Sequence, residues 1–545
     1  MDAWRLLKLL KTLVACPSTT DTHEEAGMYR KIHRLLSEME YFRANPQNLM
    51  LHPIPGDKHG RAAVAALVKG NGSRTVILSG HYDVVDTIDY GPFQKHALNI
   101  DTLGKALDPS ALPADALDDL NSGGWIFGRG AADMKAGLAL FMSLIEQMSQ
   151  RPDDINGSIL FLAVPDEETN SAGMTGSVEF LTRLSMDRGL EYVCLVDSEP
   201  CTFNDDGSYN MYTGSIGKML PLIYCFGREA HSREPFEGIN PNLIMAEIIR
   251  EIEGNPLFSD RYEDTFTMPP ASLKAKDLRE GYAISTPSAS ACCFNMLTYR
   301  RPPGEIISVM KETAARCFAR AVDTVNIRIA EYNSCSGSSI KELAWPPRVY
   351  TYDELYAVCI KKHGNVLESH MKSIFESRAV RNMDWRDATI SIINQLHSFC
   401  PDRAPKIIIA LAPPYYPHVT TDGRSPGDGD VLKAVDLLQE YSISEFGIPI
   451  KVNRFFDGIS DLSYCSIQDA GDVINEFKPN MPLWGHSYSI PVEEIKRLNV
   501  PGVILGPWGK DLHKYTERLN KDSYLRTAPG LLKYFVYALL GMDAG

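Results

Sequence analysis

SILFLAVPDEETNSAG, residues 158–173, decides how this chain is read. SILFLAV has the continuous apolar character of a buried strand. Three adjacent carboxylates, Asp166, Glu167 and Glu168, follow it directly after Pro165. Carboxylates crowded at the end of an apolar strand repel one another unless a cation offsets them. Adjacent side chains also diverge, so Glu167 and Glu168 can serve separate roles, one at an attacking water and one at a metal.

Working outward, the first 200 residues alternate helix and strand. Helices are expected at 3–15, ending at Pro17, at 23–38 and at 136–148, with strands near 62–68, 75–80 and 192–196. That alternation predicts a mostly parallel, mixed α/β sheet whose site lies outside the C-terminal strand ends. The texture then changes. MLPLIYCF (219–226), PNLIMAEIIREIE (241–253), SACCFNML (290–297), a helix around 305–321 and strand-like TVNIRIAEY (324–332) suggest an inserted α+β unit. The expected division is 1–212 and 336–545 for the two parts of a catalytic domain, with 213–335 inserted between them. KIIIALA (406–412) and GVILG (502–506) read as further catalytic-domain strands, and the Tyr415–His418 part of APPYYPHV as a rigid Pro-rich turn.

Composition narrows the partners. The chain has 545 residues, and 55 basic against 69 acidic side chains leave a net charge of −14. No basic excess is available to displace counterions from a phosphate backbone, so a nucleic-acid partner is not expected. The 11 cysteines include no CxxC and read as reduced, mostly core thiols of a cytoplasmic protein. MDAWRLLKLLKTLVACP carries Arg5, Lys8 and Lys11 at helical spacing, which is an amphipathic helix rather than a signal sequence. No run of 18 apolar residues exists, so no membrane span is expected.

The remaining chemistry-bearing segments fall in a fixed order around the opening one. In SGHYDVVD (79–86), His81 and Asp83 are two apart at a strand end and project to one face. In FGRGAADMKAG (127–137), Asp133 sits between a Gly-rich turn and a helix, where one carboxylate can bridge two cations. VDSEP (196–200) adds Asp197 and Glu199, and GPWGKDLHKYTERL (506–519) adds His513. Each alone has a plain reading as a strand-end histidine, a helix cap or a charged loop. Together they form a nitrogen and oxygen donor set suited to zinc, cobalt or manganese.

These motifs resemble those of the M20 metallopeptidases, a family that includes aminoacylases, carboxypeptidases and succinyl-diaminopimelate desuccinylase. The resemblance is closer still to arginine-utilisation proteins of the RocB type, through WIFGRGAADMKAGLAL, TGSIGKMLPLIYCFGREAH, APPYYPHV and the 52 positions (133 − 81) separating the first two ligands. It implies a zinc-peptidase-like catalytic domain holding two divalent ions, with zinc expected and cobalt or manganese as alternatives. His81 would bind one ion, oriented by Asp83. Asp133 would bridge, Glu167 would be the general base, and Glu168 with His513 would hold the second ion. The Glu-Pro pair favours Glu199 as the fourth acid, whereas counting along the strand from Tyr192 favours Asp197; Glu199 is preferred. The inserted unit resembles the family's lid and dimerisation domain. There His231 would stabilise the oxyanion, across a homodimer interface in the family; Arg300 would grip a substrate carboxylate, and Asn240 would line the cleft. The implied activity is hydrolysis of an amide bond in a small peptide, an N-acyl amino acid or an arginine-related metabolite. The alternative is a non-hydrolytic metabolite-binding or regulatory protein on the same fold, which would not need Glu167.

Overall fold

Four parallel strands position the site. Asn156–Val164 pairs with Asn71–His81, that strand with Glu191–Asp197, and that one with Gly502–Ile504. Their inner residues are almost all buried, as parallel strands covered on both faces require. In register, His81 lies opposite Val164, Ser79 opposite Asp197, and Asp197 opposite Ile504. The strands therefore end level, and the loops that follow emerge along one edge. Leu49–Pro53 and Ala62–Lys69 extend the sheet on one side, Tyr209–Tyr212 and Ile450–Asn453 on the other, giving eight strands. Antiparallel joins on both flanks make it mixed.

The computed structural model describes residues 1–542. The sheet belongs to a first unit made of residues 1–216, 419–468 and those from 493 onward. Helix Ala136–Met148 packs on its central strands and is buried on nearly every side. Its start is fixed by Gly137, where a Cβ would meet the Ser198 carbonyl oxygen at 2.7 Å. That close approach sets the Asp133 turn beside the ends of the strands.

The second unit, 217–418 and 469–492, has a five-stranded sheet. Its order is Ala271–Asp277, Ala289–Thr298, Gly217–Phe226, Lys406–Tyr416 and Val349–Thr351. Leu220, Leu222, Tyr224, Ile408 and Ala410 bury one face beneath helices from Tyr352–His363 to Trp385–Ser398. Pro241–Ile252 and Pro303–Ser336 also pack on the sheet.

Three expectations are corrected here. TVNIRIAEY is not a strand, because one helix runs from Pro303 to Ser336. Its alternation misled, since Ile327 is exposed while Val322 and Ile329, seven apart, are buried at helical spacing. Residues 336–418 and 469–492 lie in the second unit rather than the catalytic one, because Lys406–Tyr416 pairs antiparallel with Gly217–Phe226. That strand also runs through Pro413 and Pro414 to Tyr416, with a register shift after Ala412, so of the turn expected at Tyr415–His418 only Pro417 and His418 connect to the next strand, Val419–Thr420. The cysteines form no disulfide among the described residues, and nine of the eleven are buried. Among the described residues no helix is long and apolar enough to cross a membrane.

Candidate metal centre

The level strand ends bring the scattered acids and histidines of the first unit together. His81, the last residue of its strand, places Nε2 3.1 Å from Asp133 Oδ1 and 3.6 Å from Glu199 Oε1. On the other side of Asp133, Oδ2 lies 3.2 Å from His513 Nε2, which is itself 2.9 Å from Glu168 Oε2. Two donor groups result, His81–Asp133–Glu199 and Asp133–Glu168–His513, each with its ligand atoms within 4.8 Å of one another. Asp133 belongs to both. Asp197 belongs to neither, and burial pushes its carboxyl up to about 7.

The surrounding groups explain how these residues are held. Asp83 accepts the backbone N–H groups of Glu167 and Glu168 at 3.2 and 3.1 Å, so it shapes the loop carrying both glutamates. His81 Nδ1 meets the Asp83 carbonyl oxygen at 3.0 Å and its carboxylate only at 3.6 Å. The carbonyl is thus the nearer orienting partner, and it leaves Nε2 as the ligand nitrogen. Asp166, with a positive φ of 70°, turns away from the centre. It meets Arg61 Nη1 at 2.6 Å, and Arg61 also meets Glu25 at 2.7 Å and Asp57 at 2.6 Å. Of the three adjacent carboxylates, one is therefore offset by an arginine and two face the centre.

Two further acids were not singled out in the sequence. Glu517 is fully buried and accepts the backbone N–H groups of Ala132 and Asp133 at 3.1 and 3.3 Å. Its other oxygen accepts from Arg129 at 2.9 Å, and Arg129 also donates to the His513 carbonyl at 3.3 Å. The signal available was its place four residues after His513 in the same segment. Asp461, buried in a short 3-10 turn, adds negative charge near Glu167 and carried no motif signal.

The electrostatics favour cations. Burial foremost pushes Glu199 and Glu168 above the carboxylate range, and the charge of Asp133 adds to it. Burial likewise raises Glu167, with Glu168, Asp461 and Asp133 adding while His81 pulls the other way. Hydrogen bonds to Asp133 and Glu168 raise His513 to about 10. So much buried negative charge, arranged as two nitrogen and oxygen donor groups around one shared carboxylate, fits a pair of divalent ions.

His231, Asn240 and Arg300 lie in the second unit. His231 is exposed, with Nδ1 accepting the Arg233 backbone N–H at 3.2 Å. Asn240 caps helix Pro241–Ile252 through Oδ1, which accepts from Asn242 at 3.0 Å. Asp260 accepts the backbone N–H groups of Tyr299, Arg300 and Arg301 at 2.7–2.8 Å, fixing the turn that carries the arginine pair. Arg301 is engaged by Glu305 at 3.1 Å, whereas the Arg300 side chain is exposed and lies over the Tyr262 ring.

Residues 77–535 match the model of peptidase family M20/M25/M40. The chain belongs to the M20 peptidase family. As an M20 protein it is a metal-dependent hydrolase. Over 541 residues it is 33% identical to the uncharacterized protein YqjN of Bacillus subtilis, covering 98% of this chain and 96% of that one. Protein RocB of the same organism is 29% identical over 542 residues, 99% and 95% of the two chains. The M20 fold is seen in the crystal structure of the Bacillus subtilis YXEP protein, described as a dinuclear metal-binding peptidase, at a TM-score of 0.50 and 12% identity over 99% of both chains.

Proposed function

We propose that this M20 protein hydrolyses an amide bond of a small peptide, an N-acyl amino acid or an arginine-related metabolite, using two divalent ions. The observation that carries the reading is the shared Asp133, whose two oxygens face His81 and His513 respectively. His81, Asp133 and Glu199 would hold one ion, and Asp133, Glu168 and His513 the other, with zinc favoured by the donor set and cobalt or manganese also suited to it. Such ions lower the pKa of bound water from 15.7 to about 7 and polarise a carbonyl.

The chain's own groups do the rest. Glu167, buried beside the centre and 3.9 Å from His81, takes the proton of the attacking water. Glu167 then passes that proton to the leaving amine. Asp83 holds the glutamate loop by its backbone. In the second unit, His231 is assigned to the oxyanion and Arg300 to a substrate carboxylate, the latter supported by its freedom from the ion pair that engages Arg301. Asn240 would line the cleft with its amide group while its oxygen caps the helix. A homodimer through the second unit is proposed on the exposed side chains of Leu273 and Phe266, the former on the edge strand Ala271–Asp277. A cytoplasmic location is proposed on the eleven cysteines read as reduced thiols, and a role in arginine catabolism on the resemblance of the motifs to arginine-utilisation proteins of the RocB type.

The test is a screen of metal-loaded protein against N-acyl amino acids and dipeptides, with arginine derivatives included. Glu167→Gln should lower kcat by roughly 10²–10⁴-fold at unchanged metal content. Full activity in that variant would remove Glu167 as the base.

A further inference from the structure

A basic cleft lies in the first unit, and none of its lining residues belongs to the metal centre. It is a cavity of about 620 Å³ between the end of helix Ala3–Val14 and one face of helix Glu24–Ser37. Thr12 and Cys16 line the first wall, and Gly27, Arg30, Lys31 and Arg34 the second. Those four are spaced i, i+3, i+4 and i+7, so a single helix face supplies them. Arg30 and Arg34 are exposed and Lys31 is half-buried. No acidic side chain is among the described residues that line the cleft.

Three cations on one helix face repel one another, and Arg30 with Arg34, at i and i+4, is an unfavourable pair. The acids that open the same helix are engaged elsewhere. Glu25 meets Arg61 at 2.7 Å, and Glu24 accepts the Thr19 backbone N–H at 3.2 Å. Among the described residues neither Arg30, Lys31 nor Arg34 forms an ion pair, not even with Glu38, one turn beyond Arg34. Gly27 is an independent observation. Glycine inside a helix is less favourable than alanine, yet no neighbour demands it here, since an added Cβ would meet nothing within 4 Å. The space it leaves open belongs to the cleft. On the facing wall, Thr12 Oγ1 donates to the Lys8 carbonyl at 2.7 Å and keeps its lone pairs to accept a hydroxyl. The Cys16 carbonyl accepts from the buried Lys135 ammonium at 3.0 Å, which ties this wall to the interior beside the Asp133 turn.

We propose that this cleft is a ligand site separate from the metal centre, and that it takes a small phosphate monoester. Guanidinium groups match phosphate oxygens in pairs, and the lysine adds a point charge. A phosphate monoester carries about two negative charges at pH 7, so it answers three cations better than a single carboxylate does. The volume lies in the range of small-molecule sites and leaves room beyond the phosphate. The neutral part of the ester occupies the space over Gly27 and reaches Thr12.

The experiment titrates the full-length protein with glycerol phosphate and with inorganic phosphate in a calorimeter at constant ionic strength. Both should bind, the ester more tightly. Alkylation of Cys16 by iodoacetamide, read by peptide mapping, should slow as the cleft fills, while exposed Cys335 reacts unchanged. Arg34→Glu and Lys31→Glu should each weaken binding roughly tenfold or more. Gly27→Leu fills the open space and favours the helix, so it should weaken binding without lowering the melting temperature. Vesicles of phosphatidic acid in phosphatidylcholine distinguish a lipid headgroup from a free ester. Recruitment to vesicles with no binding of either free phosphate would overturn the assignment. Phosphate held by the metal centre, or an adventitious ion only, would bind the charge-reversed variants as well as the wild type and leave Cys16 unprotected; that result would equally overturn it.

Discussion

Glu517 accepts the backbone N–H of Asp133 at 3.3 Å, and through this bond the end of the chain fixes the residue shared by both donor groups. The same carboxylate is the buried partner of Arg129 at 2.9 Å. Glu517→Ala leaves the Arg129 guanidinium short of its buried counter-charge. Its expected cost is about 3 kcal/mol of stability, read as a fall in the melting temperature. Glu517→Gln keeps an acceptor for the turn and should retain more stability, while metal affinity falls roughly 10–100-fold. Wild-type metal affinity in both variants would show that the turn holds itself.

Because Asp133 is shared and His513 is not, the two residues should differ in metal stoichiometry. Asp133→Ala is expected to lose both ions and His513→Ala one, measured by elemental analysis after reconstitution and desalting. A chelator should abolish activity in the wild type, and divalent metal should restore it. Equal stoichiometries in the two variants would contradict a bridging carboxylate.

Arg61 offers a test of the support beneath the glutamate loop. It serves three carboxylates, two of which, Glu25 and Asp166, are at most 1% exposed. Lysine carries one ammonium and cannot reproduce that fork. Arg61→Lys should therefore behave as a severe substitution, costing about 3 kcal/mol and weakening metal retention, since Asp166 accepts from Thr169 and Ala172 and so anchors the loop that carries Glu167 and Glu168. A melting temperature unchanged from wild type would show that the loop does not depend on the arginine.

The second unit should carry an acid sensitivity of its own. His397 is 3% exposed and packs against Phe226 with ring centroids 4.0 Å apart and the rings tilted by 47°. Burial foremost, then the charges of Lys406 and Arg403, hold its pKa down to about 3, with Asp402 acting in the opposite sense. Above pH 7 the folded and unfolded states both keep it neutral, and stability is unaffected. As pH falls below about 6.5 the unfolded state binds the proton first, so stability drops, by about 2 kcal/mol at pH 5, levelling near pH 3. His397→Phe should lose less stability than wild type between pH 7 and pH 5. Parallel losses in the two proteins would exclude the histidine as the sensor.

Much of the catalytic unit was legible because strand identity, strand order in the chain and motif position agree. SILFLAV, YVCLV and the helix at 136–148 appear where their apolar runs lie. The second unit was less legible for a physical reason. Val325, Ile327 and Ile329 alternate as a strand would, yet the helix that precedes them continues through them, and local alternation carries no information about which neighbour buries it. KIIIALA was recognised as a strand, but its sheet was not, because pairing with Gly217–Phe226 is set some 190 residues away.

The sequence by itself picked out the candidate donors His81, Asp133, Glu168, Glu199 and His513, with Glu167 as the candidate base, each at a strand end or a Gly-rich turn. Residue type and local spacing suffice for that, since ligand chemistry belongs to the side chain. Only the tertiary structure decided how those groups divide. It set Glu199 beside His81 while leaving Asp197 out of both groups, turned Asp166 onto Arg61, and recruited Glu517 to the Asp133 turn. These outcomes depend on the register of strands that meet from opposite ends of the chain, and on buried charges finding partners hundreds of residues away.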